Sequence, residues 1–239
     1  KERTRSKLLL LCENEIGYKN LCALITQSYT QGLDREEPLI GKQWLKDCTG
    51  GLIAISSYES GYFQQSKSID ESIDLEKIAS LQALFPDRLF ISISRMGIPN
   101  EEKLNQTMIE LSTNFNIPIV AVNNPIFIAK DDFLSLDARV CIDQGTILDD
   151  QRRAKDYTPQ QYFKSSDEMA DLFSDIPEAL SNTIAIAEMC NFGFENTEHV
   201  LPDFETPQDS SIDEYLEKQA NDGLKKTYRR PVASPEKFR

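Results

Sequence analysis

Apolar residues fall into two alternating rhythms along the first 145 positions. Four short, nearly unbroken apolar runs read as buried strands: Leu8–Cys12, Gly51–Ser56, Arg88–Ser94 and Pro118–Val122. Between them the spacing turns helical. Tyr18–Gln31 carries Leu21, Leu24, Ile25 and Tyr29 on one face, with Gly32 as a stop. Lys42–Cys48 reads as a short helix around Trp44, the only tryptophan. Asp70–Phe85 turns Ile73, Ile78, Leu81 and Phe85 inward and is ended by Pro86. Asn100–Phe115 places Asn100 as cap, Glu101 and Glu102 in the electropositive first turn, and Leu104, Met108, Leu111 and Phe115 on one stripe. Asp131–Gln144 is a further helix. Strand, helix, strand at intervals of roughly 30–43 residues predicts an α/β fold built of βα units, as a parallel sheet or barrel.

After about residue 150 the strand pattern stops. Thr158-Pro159-Gln160-Gln161 reads as a helix start, with proline at the first helical position and glutamine closing a capping box. Ser165–Glu168 and Ser211–Glu214 are two further capping boxes. Helices are expected over Ser166–Phe173, Pro177–Cys190 and Ile212–Tyr228, with Asn191–Ser210 an extended connector containing Pro202 and Pro207. The pattern divides the chain into residues 1–200, a partial barrel domain, and residues 201–239, a helical linker.

The chain has 239 residues, 40% hydrophobic and 27% charged, ordinary for a folded protein. No apolar run approaches the roughly 18 residues that span a bilayer. The charged start, Lys1–Lys7, lacks the apolar core of a signal peptide, and a strand follows almost at once. This reads as a chain cut in mid-domain. Five widely spaced cysteines (Cys12, Cys22, Cys48, Cys141 and Cys190) suit reduced, buried thiols in a cytoplasmic protein better than a disulfide framework. A net charge of −13 argues against a nucleic-acid surface over most of the chain. Lys225–Arg239 is the exception at net +5, with Arg229 and Arg230 the candidate nucleic-acid contacts.

Candidate chemistry is limited by a single histidine, His199, and by the lack of any CxxC. One imidazole cannot build a multi-histidine metal centre, a Ser–His–Asp triad would require His199, and no GxSxG, GxxxxGK[ST] or GxGxxG motif occurs. The ends of parallel strands are where such folds place their sites. Here they read Glu13-Asn14-Glu15, Ser56–Gly61, Ser94–Gly97 and Asn123-Asn124-Pro125. Glu13, Glu15 and Glu59 form a possible oxygen-ligand Mg²⁺ set, although solvated loop carboxylates are the simpler reading. The adjacent acids Asp131-Asp132 and Asp149-Asp150 do not face each other and are weak catalytic candidates.

The run Asn14-Glu15-Ile16-Gly17-Tyr18-Lys19-Asn20-Leu21 resembles the N-x-x-GY-x-NL signature of the alpha-subunit family of bacterial DNA polymerase III. Further segments follow in family order: Gly51-Leu52-Ile53, Pro86-Asp87-Arg88, Met96–Glu102, Tyr157–Phe163, Ile176–Leu180 with Asn182-Thr183, and Leu201–Phe204. The resemblance implies a distorted TIM-like (βα)7 barrel of the polymerase-and-histidinol-phosphatase (PHP) type, incomplete at its N-terminus and followed by a helical extension. It implies a parent that carries out DNA-templated DNA synthesis with Mg²⁺, in a palm outside this chain. Implied partners are the proofreading exonuclease (epsilon) subunit, other holoenzyme subunits including the sliding clamp, and primer-template DNA, with no membrane. Metal-binding members carry ligands where this chain has Lys7, Tyr58, Ser92, Met96, Asn124, Ile126 and Leu136. The resemblance therefore points to a degenerate, metal-free domain with no catalytic residue and no cofactor of its own. In it Lys7 would supply a fixed positive charge for the remaining carboxylates. The alternative is an active metal-dependent phosphoesterase of the same type.

Overall fold

The computed structural model of the chain describes residues 5–57, 74–150, 152–153, 155, 157–194, 204–207 and 210–227. It divides into two units, Lys1–Gly193 and Phe194–Arg239. In the first unit the order is β1 (Leu9–Cys12), α1 (Glu15–Thr30), β2 (Leu33–Asp34), β3 (Glu37–Pro38), α2 (Lys42–Asp47), β4 (Leu52–Ser57), α3 (Leu75–Leu84), β5 (Leu89–Ser94), α4 (Glu101–Phe115), β6 (Ile119–Val122), a 3-10 turn (Lys130–Asp132), α5 (Phe133–Gln144), α6 (Ser166–Leu172) and α7 (Pro177–Met189). Among the described residues, β1, β4, β5 and β6 form one sheet in that order, and β2–β3 a small ribbon.

The apolar runs are unbroken because both faces of the sheet are covered. Leu52, Ala54, Leu89, Ile91, Ile93 and Ile119 pack on one side with Leu24, Ile78, Leu81, Phe85 and Phe173. On the other side Ile53, Ile55, Phe90 and Val120 pack with Ile186 of α7. Strands β4, β5 and β6 are mutually parallel, as the βα spacing predicts. β1 is not. It pairs antiparallel with β4, Leu9 opposite Ile55 and Cys12 opposite Leu52. An all-parallel arrangement would have placed the end of β1 beside the ends of β4–β6; the observed one places its beginning there.

The N-x-x-GY-x-NL run is where α1 meets the turn that starts β4. The helix begins at Glu15, ahead of the apolar stripe, because the Asn14 side chain accepts from the amide of Gly17 at 3.1 Å. A Cβ on Gly17 would lie 1.8 Å from the carbonyl oxygen of Gly51, so only glycine permits this approach. Gly51 is itself at φ +66, and a Cβ there would meet Asn14 Oδ1 at 2.3 Å. Asn20 Nδ2 donates to the Gly50 carbonyl at 2.8 Å, and the Tyr18 ring stacks on Phe192 with centroids 4.8 Å apart. From the other side, Arg88 donates to the carbonyls of Thr49 and Leu52 at 2.9 and 3.0 Å.

Several local expectations are corrected. Asn100 precedes α4 but sits at φ +63 and makes no side-chain cap bond, because a left-handed backbone turns its carboxamide away from the first-turn amides. Thr158–Gln161 starts no helix and forms a turn. Half of its capping box is present, the Thr158 amide donating to Gln161 Oε1 at 2.8 Å, while the Thr158 hydroxyl donates to the Met96 carbonyl and no helix follows. The helix expected from Asp131 opens as the 3-10 turn, in which Asp132 Oδ2 accepts from the Ala129 amide at 3.0 Å. Of the five cysteines, all unpaired, Cys141 alone is buried; Cys12, Cys48 and Cys190 are half-buried and Cys22 is exposed. The start of the predicted helix at Asp70–Ile73 lies outside the described residues.

In the second unit α8 (Ile212–Thr227) is the described helix. Its predicted capping box is present: the Glu214 amide donates to Ser211 Oγ at 3.3 Å, and the Ser211 amide to Glu214 Oε2 at 3.1 Å. Phe204 packs on Tyr215 with ring centroids 5.7 Å apart. No helix among the described residues is long and apolar enough to cross a membrane.

If the glycine contact positions α1, Gly17→Ala forces backbone apart and destabilises by at least ~1–3 kcal/mol, whereas Asn20→Ala, losing one hydrogen bond, costs about 1 kcal/mol. Urea unfolding followed by circular dichroism gives that ranking directly; equal, near-zero effects would contradict it.

Candidate functional site

Because β4, β5 and β6 run together, their carboxyl ends share one edge of the sheet. Antiparallel β1 brings its first residues to the same edge. A cavity of about 380 Å³ opens there, on the sheet face that carries Ile53, Ile55, Phe90 and Val120. Along this face the rungs change character. Leu11, Ile53 and Phe90 are packed in the apolar layer, and further along the strands come Ser57, Ser92 and Ser94. Ser57 is in register with Ser92. Two residues back from the Leu9–Ile55 pair, Lys7 falls on the Ser57 rung.

Of the seven positions where the resemblance expects lost metal ligands, four line this cavity: Lys7, Ser92, Met96 and Asn124. The structure thus brings together residues far apart in sequence. Ile126, 40% exposed, and Leu136, half-buried on α5, are not among the lining residues. Tyr58, Glu59, His199, Arg229 and Arg230 lie outside the described residues. Of the carboxylate set considered for Mg²⁺, the two described members, Glu13 and Glu15, do not lie at this edge. Glu13 follows β1 and sits at the opposite end, its amide bonded to Gly51 O at 2.9 Å, and Glu15 pairs with Lys19 at 2.7 Å. Asp150 pairs with Arg152 at 3.0 Å. Arg95 also leaves the cavity. It makes a two-pronged ion pair with Asp175 at 2.6 and 2.7 Å and lies 5.0 Å from the Phe173 ring centroid. That bond raises the Arg95 pKa and lowers that of Asp175.

Glu101 is the one carboxylate among the described lining residues. The sequence assigns it to the first turn of α4, but it also folds back over the Met96-Gly97 turn. Its oxygens accept from the Met96 amide at 2.7 and 2.8 Å, the Gly97 amide at 2.8 Å and the Ser94 hydroxyl at 2.9 Å. Gly97 stands at φ +72, which glycine adopts without strain. The amides and Ser94 therefore hold this carboxylate, and Lys7, an exposed side chain, lines the same cavity. Asn105, buried, brackets Ser94 from α4, accepting from its amide at 3.4 Å and donating to its carbonyl at 2.7 Å. The signal for Asn105 was a polar residue inside the apolar stripe of Leu104, Met108 and Leu111.

A strap of residues 157–165 closes the β6 side. The Asn123 side chain donates to the Tyr162 carbonyl at 2.8 Å, and the Ile126 amide donates to Gln161 O at 2.8 Å. Lys164, buried, donates to Asn123 Oδ1 at 3.4 Å and to the Gln160 carbonyl, and sits 4.5 Å from the centroid of the Tyr162 ring. Burial is the main cause lowering its pKa, opposed by Glu168 and Glu101. Nothing in the spacing of Tyr157–Phe163 marks Lys164, since its partners come from β6 across the fold. Among the described residues no three His, Cys, Asp or Glu side chains gather as a metal site.

Residues 1–96, which contain β1 to β5 and much of this cavity's lining, match the PHP domain family. Along nearly its whole length the chain is also similar to one kind of protein. It is 38% identical over 220 residues to the DNA polymerase III subunit alpha of Pseudomonas fluorescens, and 40% identical over 218 residues to that of Escherichia coli O6:H1. A third, from Xylella fastidiosa, is 35% identical over 218 residues. These matches take in 91–92% of this chain but 18–19% of each relative, so the chain spans about a fifth of their length.

Glu101→Gln keeps the volume but presents an NH₂ to an amide pair, and should cost about 1.5–3 kcal/mol, the range for hydrogen bonds to a charged group. Glu168, which caps α6 through Ser165 and accepts from the Tyr162 hydroxyl, is held below the ordinary glutamate value of 4.5, first by the Ser165 amide. A depressed carboxylate contributes stability above its unfolded pKa and loses it as pH falls through the folded value. Unfolding free energy should therefore decline below about pH 4.5, with Glu168→Gln removing part of the slope; identical acid limbs in wild type and variant would contradict the assignment.

Proposed function

We propose that this chain is part of the catalytic alpha subunit of the replicative DNA polymerase III, and that its strand-bearing unit is an incomplete, distorted TIM-like (βα)7 PHP barrel that does not hydrolyse phosphoesters. Similarity to alpha subunits over 92% of the chain carries the first half of this reading. The lining of the cavity supports the second. Hydroxyls, carboxamides, two thioethers and one lysine do not suit a divalent metal of the kind bound by imidazole and carboxylate, and the one described carboxylate is already committed to amides. The carboxylate that accepts from the Ser94 hydroxyl, Glu101, also accepts from the Met96 and Gly97 amides, which weakens it as a base for a serine nucleophile.

In this reading DNA synthesis, its Mg²⁺ and the contacts to primer-template DNA and the sliding clamp belong to the full-length protein. This region is scaffold and docking surface for the proofreading exonuclease subunit. The acidic balance of the chain, −13, favours a protein partner over a nucleic acid one. Residues 201–239 would serve as the helical linker toward the polymerase palm and thumb.

Immobilised chain should retain the exonuclease subunit of the same holoenzyme from purified solution, and retention should fall with rising salt as charge contacts are screened. Failure to retain it, by a chain shown to be folded, would remove the docking role.

A further inference from the structure

We propose that β1, the free edge of the main sheet, is an interface at which two copies of this chain pair strand against strand about a two-fold axis at Leu10. The inference goes beyond the functional reading above and does not depend on it. β1 ends the sheet, next to β4. The opposite edge, β6, is closed by the strap, but among the described residues no element pairs with the outer side of β1. Glu13 fixes which backbone groups face outward. Its amide donates to Gly51 O at 2.9 Å, continuing the register of Leu9 with Ile55. Bonded pairs alternate along an antiparallel ladder, so Leu9, Leu11 and Glu13 bond toward β4, and the N–H and C=O groups of Leu8, Leu10 and Cys12 point away from it. None of those outward groups has a backbone partner among the described residues. The side chains are uncovered as well: β4 and β5 each carry five buried residues, β1 carries none, and Leu9 is 54% exposed.

Three features select a second copy as the occupant of this edge. Leu8–Leu11 is an unbroken run of leucine with no charge or proline to blunt it, so the strand is complementary to itself. Charge then fixes the register. An antiparallel pair must match outward residue to outward residue, and centring it on Leu10 sets Leu10 against Leu10, Leu8 against Cys12 and Leu9 against Leu11. The same register sets Lys7, exposed, opposite Glu13 of the second copy, twice by symmetry. A centre on Leu9 would set Lys7 against Leu11, and one on Leu11 would set Glu13 against Leu9, each laying a charge on a leucine. The third feature is space. A cavity of about 630 Å³ lies beside β1, lined by Leu8, Leu10, Leu33, Leu39 and Trp44 among others. Leu10 and Cys12 of the second copy stand on the same pleat face as Leu10 and Leu8, the face that opens into this cavity.

Sedimentation equilibrium of the chain over a range of concentrations tests this. The expected result is a reversible equilibrium between monomer and dimer. Leu10→Pro removes an outward donor without touching the bonds to β4, and should abolish the dimer while circular dichroism shows the fold retained. Lys7→Glu sets carboxylate against carboxylate at both ends of the pair and should weaken dimerisation about tenfold. Glu13→Lys should weaken it likewise, and the two substitutions together should restore it. A chain that is monomeric at every concentration, dimers that Leu10→Pro leaves intact, or a double variant that stays as weak as the single ones would overturn the interface. Dimers of this chain that disappear when the longer alpha subunit is measured would assign β1 to a segment of the same polypeptide, and would overturn pairing between copies as well.

Discussion

The first turn of α1 lies against the Gly50-Gly51 turn at a separation that admits no side-chain carbon, and the rest of the first unit is arranged around that contact. Gly17 and Gly51 each stand where a Cβ would strike the other's neighbourhood, at 1.8 and 2.3 Å. Asn14 and Asn20 bond across it, and Arg88 ties the same turn to the start of β5. Anchoring α1 at the beginning of β4 fixes the end of β1 there as well, so β1 must run against β4. Its first residues then reach the far edge of the sheet. In this way a packing constraint at one end determines that Lys7, and not Glu13 or Glu15, belongs to the cavity at the other.

The segments that resemble polymerase alpha subunits have this architectural character. Asn14–Leu21 docks a helix. Pro86-Asp87-Arg88 closes a turn through the Arg88 guanidinium. Met96–Glu102 folds a glycine turn over a carboxylate, and Tyr157–Phe163 straps the β6 edge through Thr158, Gln161 and Tyr162. Asn182, from the Ile176–Thr183 segment, donates to the Ile119 carbonyl at 2.7 Å and holds α7 on the sheet. What these motifs hold in place is the edge that carries Lys7, Ser92, Met96 and Asn124. Packing and chemistry reside in different residues of a fold, and these segments serve the packing.

Much of this frame was legible in the order of residues. The βα rhythm located β4, β5 and β6, and the Ser165–Glu168 and Ser211–Glu214 boxes marked helix starts because a cap is a local event. What was not legible depends on partners distant in sequence. The direction of β1 follows from a contact between Gly17 and Gly51. The Thr158 cap was captured by Met96, Asn100 was diverted by a left-handed backbone, and Lys164 acquires its surroundings from Asn123. At the cavity, the scarcity of histidine announced what the lining lacks. Which residues line it, Glu101 and Asn105 among them, required the register of four strands.

The central claim is that the cavity retains the position of a metal centre without donors able to hold one. Metal analysis of the chain, after exposure to zinc, manganese and iron salts and exhaustive dialysis, tests it most directly. The account predicts no metal at stoichiometric occupancy. One or more metal equivalents per chain, lost together with phosphoester hydrolysis when Ser92 or Asn124 is replaced, would contradict it.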